Sequence, residues 1–146
     1  MGKQSRSLEC GPGCAPWGTT DAIDVEDYRN EWSSTCDVDP DTVRFVQGRA
    51  EALPYRDSTF GFVRAGQVIG PYAPLEQSLF EAVRVLGPKG VLSLRVLGRD
   101  VNEVLEALKV LGMQIKKVER EGYEDEYDDD WVEIVAKNKD VRGLNR

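Results

Sequence analysis

Histidine is absent from this chain. That removes the usual serine-hydrolase triad, which needs an imidazole between nucleophile and carboxylate, and it removes the commonest general base. Cysteine is scarce, with only Cys10, Cys14 and Cys36. An odd number in a chain without secretory features argues against a disulfide framework. Cys10 and Cys14 could pair on a metal. With no histidine and no second cysteine pair, however, no metal site is assigned. Long apolar runs are missing too. Nothing approaches the ~18 residues of a membrane span, and no signal peptide is visible. The myristoylation pattern fails because Arg6 stands where Ser or Thr is required. The expectation is a soluble, cytoplasmic protein with no membrane partner. Basic residues are in deficit, 19 Lys and Arg against 26 Asp and Glu, for a formal net charge of −7. Nucleic-acid binders neutralise phosphates with Lys and Arg, so nucleic acid is a disfavoured partner.

What is present is enough for a core: 40% of the 146 residues are hydrophobic. That length suits one domain over residues 1–146, with a polar tail after Asn138. The segments Ser5–Cys10, Asp21–Val25, Val43–Gln47 (VRFVQ), Phe60–Ala65 and Val91–Leu97 (VLSLRVL) read as strands. The last is almost continuously apolar, as a buried parallel strand should be. In Leu75–Leu86, apolar residues recur three and four apart at Leu75, Leu79, Val83 and Leu86, which predicts an amphipathic helix stopped by Gly87–Gly90. A second helix is predicted over Val101–Leu111, with Asp100 as N-cap and Gly112 in the left-handed position that ends it. Tyr28 and Trp32 share one face of a short helix over Glu26–Ser34. Asp39-Pro40 marks a turn. Met113–Arg120 and Trp131–Lys137 are joined by an acidic segment and predict an antiparallel hairpin.

Strands alternating with helices imply a mostly parallel sheet, whose ligands bind beyond the carboxyl ends of the strands. The stretch LECGPGCAPWGTTDAID places two glycines after the first strand and Asp24 at the end of the second, yet only ten residues separate Gly13 from Asp24. Pro16 and Gly18 interrupt those ten, so the helix expected after a nucleotide loop is missing. The residues alone allow either a ligand loop or a plain turn between buried strands. The first glycine turn, Asp24, Gly48–Glu51 and Ala65–Gln67 would gather on one rim.

The runs GRAEALPYRDSTFGFV at Gly48–Val63 and RVLGPKGVLSL at Arg84–Leu94, in this order behind a glycine turn, resemble the class I S-adenosylmethionine-dependent methyltransferases. The likeness extends from Leu8 to Lys137. It implies an α/β fold: a three-layer, Rossmann-like sheet, mostly parallel, closed by an antiparallel hairpin, here with the first helix missing. It implies S-adenosylmethionine as cofactor and methyl transfer by direct displacement to a small-molecule or protein acceptor. By the same resemblance the cofactor-binding residues are Glu9, Gly11, Gly13, Asp24, Val25, Ala50, Glu51, Ala65 and Gly66. Arg49 departs from the pattern, which often has an acid there, and Gly61 stands where Asp is common. Those departures keep open a cofactor-binding but catalytically silent domain acting with a partner. A nicotinamide-type oxidoreductase domain is a third reading, opposed by the missing helix. No catalytic residue follows from the motifs. Gln67 and Tyr72, after the fourth strand, are the candidates to face the acceptor. The chain offers no N-terminal helices to cover the substrate, which leaves three expectations open: a pocket open to a macromolecular substrate, a partner subunit or homodimer that completes the site, or a lid made by Trp17 and the short loop.

Glu121–Asp130 (EGYEDEYDDD) has seven acidic residues in ten. It reads as a solvated hairpin loop. On the ligand rim it would favour cationic acceptors or hold a divalent ion.

Overall fold

The structure is a computed structural model that describes residues 6–35, 37–66, 68–121 and 130–139. Seven strands form one sheet: β1 (Ser7–Cys10), β2 (Asp21–Asp24), β3 (Arg44–Gln47), β4 (Phe60–Gly66), β5 (Leu86–Leu97), β6 (Gln114–Arg120) and β7 (Trp131–Lys137). Their order is β3-β2-β1-β4-β5-β7-β6. β1 to β5 run parallel, and β7 is antiparallel to both of its neighbours. The predicted hairpin therefore closes the sheet, and β6 runs in the same direction as β5.

Among the described residues three α-helices flank the sheet: α1 (Arg29–Thr35), α2 (Leu75–Val85) and α3 (Val101–Val110). Alternation decides which sheet face each strand buries. Leu8, Cys10, Ile23, Val63, Leu92, Leu94 and Ile134 point to one face and form the main core with Leu79, Ala82, Val104 and Leu108 of α2 and α3. On the other face α1 seats Trp32 against Ala22 and Val43. Between β1 and β2 no helix forms, as the sequence predicts. A turn is closed there by the Ala15 amide on the Pro12 carbonyl, 3.1 Å. Trp17 then lies over the sheet, stacked on Phe62 at 6.3 Å with the Arg64 guanidinium 3.8 Å from its ring.

Three features stand out as differing from the sequence expectation. β5 begins at Leu86, not Val91, because Leu86 already pairs with Phe60. Gly87–Gly90 bulge out, with Lys89 at φ 62°, before Val91 pairs with Phe62. α1 begins at Arg29, leaving Tyr28 just before it. Asp100 makes no side-chain capping bond, because a 3-10 turn over Gly98–Asp100 feeds directly into α3. Asp39-Pro40 opens another such turn, with Asp39 accepting from the Asp41 amide at 2.9 Å. The end of α3 is as predicted. Gly112 has φ 83°, its amide bonds Lys109, and the Met113 amide reaches back to Leu108. That is the double bond of a Schellman cap, with Met113 and Leu108 both in the core. Gln67 and residues 122–129 of the acidic segment lie outside the described residues. No helix among the described residues is long and apolar enough to cross a membrane.

Candidate functional site

Four parallel strands end on one rim, and a cleft of about 440 Å³ opens there, well within the usual ~300–1,000 Å³ of small-molecule sites. Its wall takes Gly11 and Gly13 after β1, Asp24 and Val25 after β2, Gly48, Ala50 and Glu51 after β3, and Gly66, Val68 and Tyr72 after β4. Seven of these belong to the rim set read from the sequence, namely Gly11, Gly13, Asp24, Gly48, Ala50, Glu51 and Gly66, and Val25 is among the residues implied by the resemblance. Tyr72 stands at the mouth, 82% exposed.

The glycine turn is held from two sides. Asp24 accepts the Gly13 amide on Oδ2 at 2.8 Å and the Val25 amide on Oδ1 at 2.8 Å. Trp32 donates its Nε1–H to the Gly13 carbonyl at 2.9 Å. Trp32 is fully buried, so this bond is sheltered from water. With no helix to order the chain after Gly13, the side chains of β2 and α1 do that work. Gly11 is required on two counts. Its φ is 72°, and a Cβ there would sit 2.9 Å from the Val68 side chain. A Cβ at Gly48 would press on Ile23 Cδ1 at 2.9 Å, so the tip of that side chain would have to move.

The far wall is tied to α2 through Arg84. Its guanidinium donates to the carbonyls of Leu53 and Tyr55 and to the carboxylates of Glu81 and Asp57. Glu81 in turn accepts the Leu53 amide at 2.8 Å. The two sequence runs that carry the resemblance thus touch each other, and their contact fixes the loop bearing Ala50 and Glu51.

Two residues of the expected set lie off the cleft wall. Glu9 points to the opposite sheet face from Leu8 and Cys10, where it is 4% exposed and accepts the Trp17 amide at 2.8 Å. Burial pushes its carboxyl up, and the Trp17 amide and the Arg64 guanidinium pull it back. Ala65 is buried beneath the rim next to Gly66. The cleft also has a wall the sequence set did not include, made by Cys14, Ile23, Tyr28, Val68 and Ala73. The signal available was the Tyr28–Trp32 spacing, since the two approach the glycine turn together. Neither Cys14 nor Tyr28 is primed as a base. Desolvation and Glu31 push the Cys14 thiol up, and Glu26 does the same to the Tyr28 phenol. Cys10 is buried and raised to about 12, which makes it inert.

A family model described as a methyltransferase domain matches residues 2–94. The chain belongs to this family. It is an S-adenosylmethionine-dependent methyltransferase domain. Solved structures agree in fold. A methyltransferase of the same kind from Methanosarcina mazei superposes with a TM-score of 0.74 at 14% identity, over 95% of this chain and 94% of its own. A possible histamine N-methyltransferase from Thermotoga maritima gives 0.67 at 17% identity, over 94% and 84%. A methyltransferase from Haloferax volcanii, solved in complex with a methyltransferase activator, gives 0.71 at 14%, over 95% and 84%. At such identities the likeness is one of fold. A comparison with curated proteins finds no match.

Proposed function

We propose that this domain binds S-adenosylmethionine in the rim cleft and transfers its methyl group by direct displacement to a small-molecule or protein acceptor. The observation that carries the reading is the cleft itself, a glycine turn and an acid facing each other across the ends of β1 and β2. The donor set suits the cofactor. Each Asp24 oxygen accepts one amide and keeps a further lone pair for a ribose hydroxyl. Gly11 and Gly13 bring backbone close without a Cβ in the way. Ala50 and Glu51 would flank the adenine, with Val25 and Gly66 on either side of the ligand. When bound, the cofactor supplies an electrophilic methyl on a cationic sulfur, and carboxylates in the wall favour that charge. The residues that act at one remove are Glu9, which holds the Trp17 amide and so the short connection, and Ala65, which packs under Gly66. Aligning acceptor and methyl can supply much of the acceleration without a base. Tyr72 and Gln67 are the residues proposed to face the acceptor.

A second reading, a cofactor-binding domain completed by a partner, is favoured by the exposure of Tyr72 and Val25, 82% and 51%, at the mouth. The activator-bound Haloferax neighbour supports it. Calorimetric titration of S-adenosylmethionine and S-adenosylhomocysteine tests the binding step. Wild type binds, and Asp24→Ala weakens binding by about 2 kcal/mol because ribose acceptor and turn anchor go together. Absence of binding to wild type sinks the enzyme reading for the isolated chain and turns the search to a partner that completes the cleft. Turnover with a panel of amines, carboxylates and basic peptides separates the active enzyme from the silent domain.

A further inference from the structure

Helices α2 and α3 leave a groove of about 680 Å³ on their outer surface. Phe80 of α2 and Val110 of α3 line it and are 55% and 82% exposed, with Leu111 beside them. Large apolar side chains gathered in water mark an interaction surface. Every charged residue lining the groove is a glutamate: Glu76, Glu103 and Glu106. An adjoining opening shares Glu76 and Phe80 and runs on to Glu51, which also lines the rim cleft.

We propose that this groove docks an amphipathic helix of another protein, apolar on its inner face and bordered by Lys or Arg. Three arguments fix the occupant. Both walls are helices whose backbone groups are already paired, so they offer no strand edge. An incoming segment must satisfy its own backbone, and a helix does so. The glutamate rim attracts cations and repels anions, which sets the charge of the partner's flanks. The same repulsion opposes a second copy docking groove to groove, because identical acidic rims would meet. The fit in length is direct: α3 has ten residues, hence about 15 Å of wall, the length of about three turns of a docked helix.

The probe is a fluorescein-labelled helical peptide of leucine and lysine about 14 residues long, with leucines on one face. Its companion carries glutamate in place of every lysine. Anisotropy is expected to show the lysine peptide binding wild type and the glutamate peptide failing to bind. Phe80→Ser/Val110→Ser and Glu103→Gln/Glu106→Gln each weaken binding about tenfold. The control pair Asp37→Asn/Asp41→Asn removes the same charge beside α1 and leaves binding unchanged. All six side chains are exposed, so the variants keep the fold, which their melting temperatures check. The proposal is overturned if wild type does not bind the lysine peptide, if the serine pair changes nothing, or if the control loses as much as the glutamine pair. A wild-type dimer in sedimentation that the serine pair dissolves would instead give the groove to a second copy. None of these outcomes depends on cofactor binding.

Discussion

Trp32 is the residue on which the short connection turns. Its indole N–H is the only hydrogen-bonding group of an otherwise apolar side chain, and it is spent on Gly13. Trp32→Phe keeps most of the packing and deletes the bond. The expected cost is about 1 kcal/mol in stability. Affinity for S-adenosylhomocysteine should fall with it, read by calorimetry, because the Gly13 carbonyl loses its anchor and the turn is then held only through the Gly13 amide on Asp24. Asp21 is the second pivotal residue. It is 2% exposed at the foot of β2 and pairs with Arg6 at 2.8 Å and Arg44 at 3.1 Å. Burial pushes its carboxyl up, but bonds from Arg6, Arg44 and Thr20 outweigh that and hold it below the ordinary 3.8. A carboxyl lowered by folding stabilises fully above its unfolded value, and the contribution fades as pH falls through the folded value. Stability of the wild type should therefore drop below about pH 4, and Asp21→Asn should flatten that acid limb. At neutral pH the variant should lose roughly 1–3 kcal/mol by urea titration, less than for a fully buried pair, since both arginines can rehydrate.

Among the elements, the loop between β3 and β4 depends on Arg84. The planar guanidinium reaches two carbonyls and two carboxylates at once, which an ammonium cannot do. Arg84→Lys is expected to cost about 2 kcal/mol and to open residues 51–59 to limited proteolysis ahead of the rest of the chain. How far the elements were legible follows from the kind of signal each carries. α2, the Gly112 cap and the continuous apolar run of β5 depend on local spacing, and the sequence shows them. The side Glu9 faces was also legible, because Leu8 and Cys10 on either side of it must point to the core. The Arg84 contacts were not, since they join residues about thirty positions apart and no periodicity encodes that. Nor was the capping failure of Asp100, which arises because the preceding 3-10 turn already carries the chain into α3. Cys14 entered the cleft wall unannounced for a similar reason: only the closed turn at Pro12–Ala15 brings it there.

For the whole molecule, the uneven layering sets a hierarchy of local stability. β4, β5 and β7 are internal strands backed by α2 and α3, whereas β3 and β6 are edges, and β6 is exposed along most of its length. Amide exchange measured by mass spectrometry should find β5 slowest, with β3 and β6 opening first. Equal protection across the sheet would contradict that order. The three tryptophans are likewise spread unevenly. Trp17 and Trp131 each lie under a guanidinium, Arg64 and Arg95, at 3.8 and 4.6 Å. Trp32 is the most deeply buried of the three, with its pyrrole nitrogen on the glycine turn. The domain thus carries its own optical gauge. With the other two indoles replaced, any ligand that tightens or loosens the turn at Gly13 shifts the colour of Trp32 emission, and the cleft can be titrated with light alone.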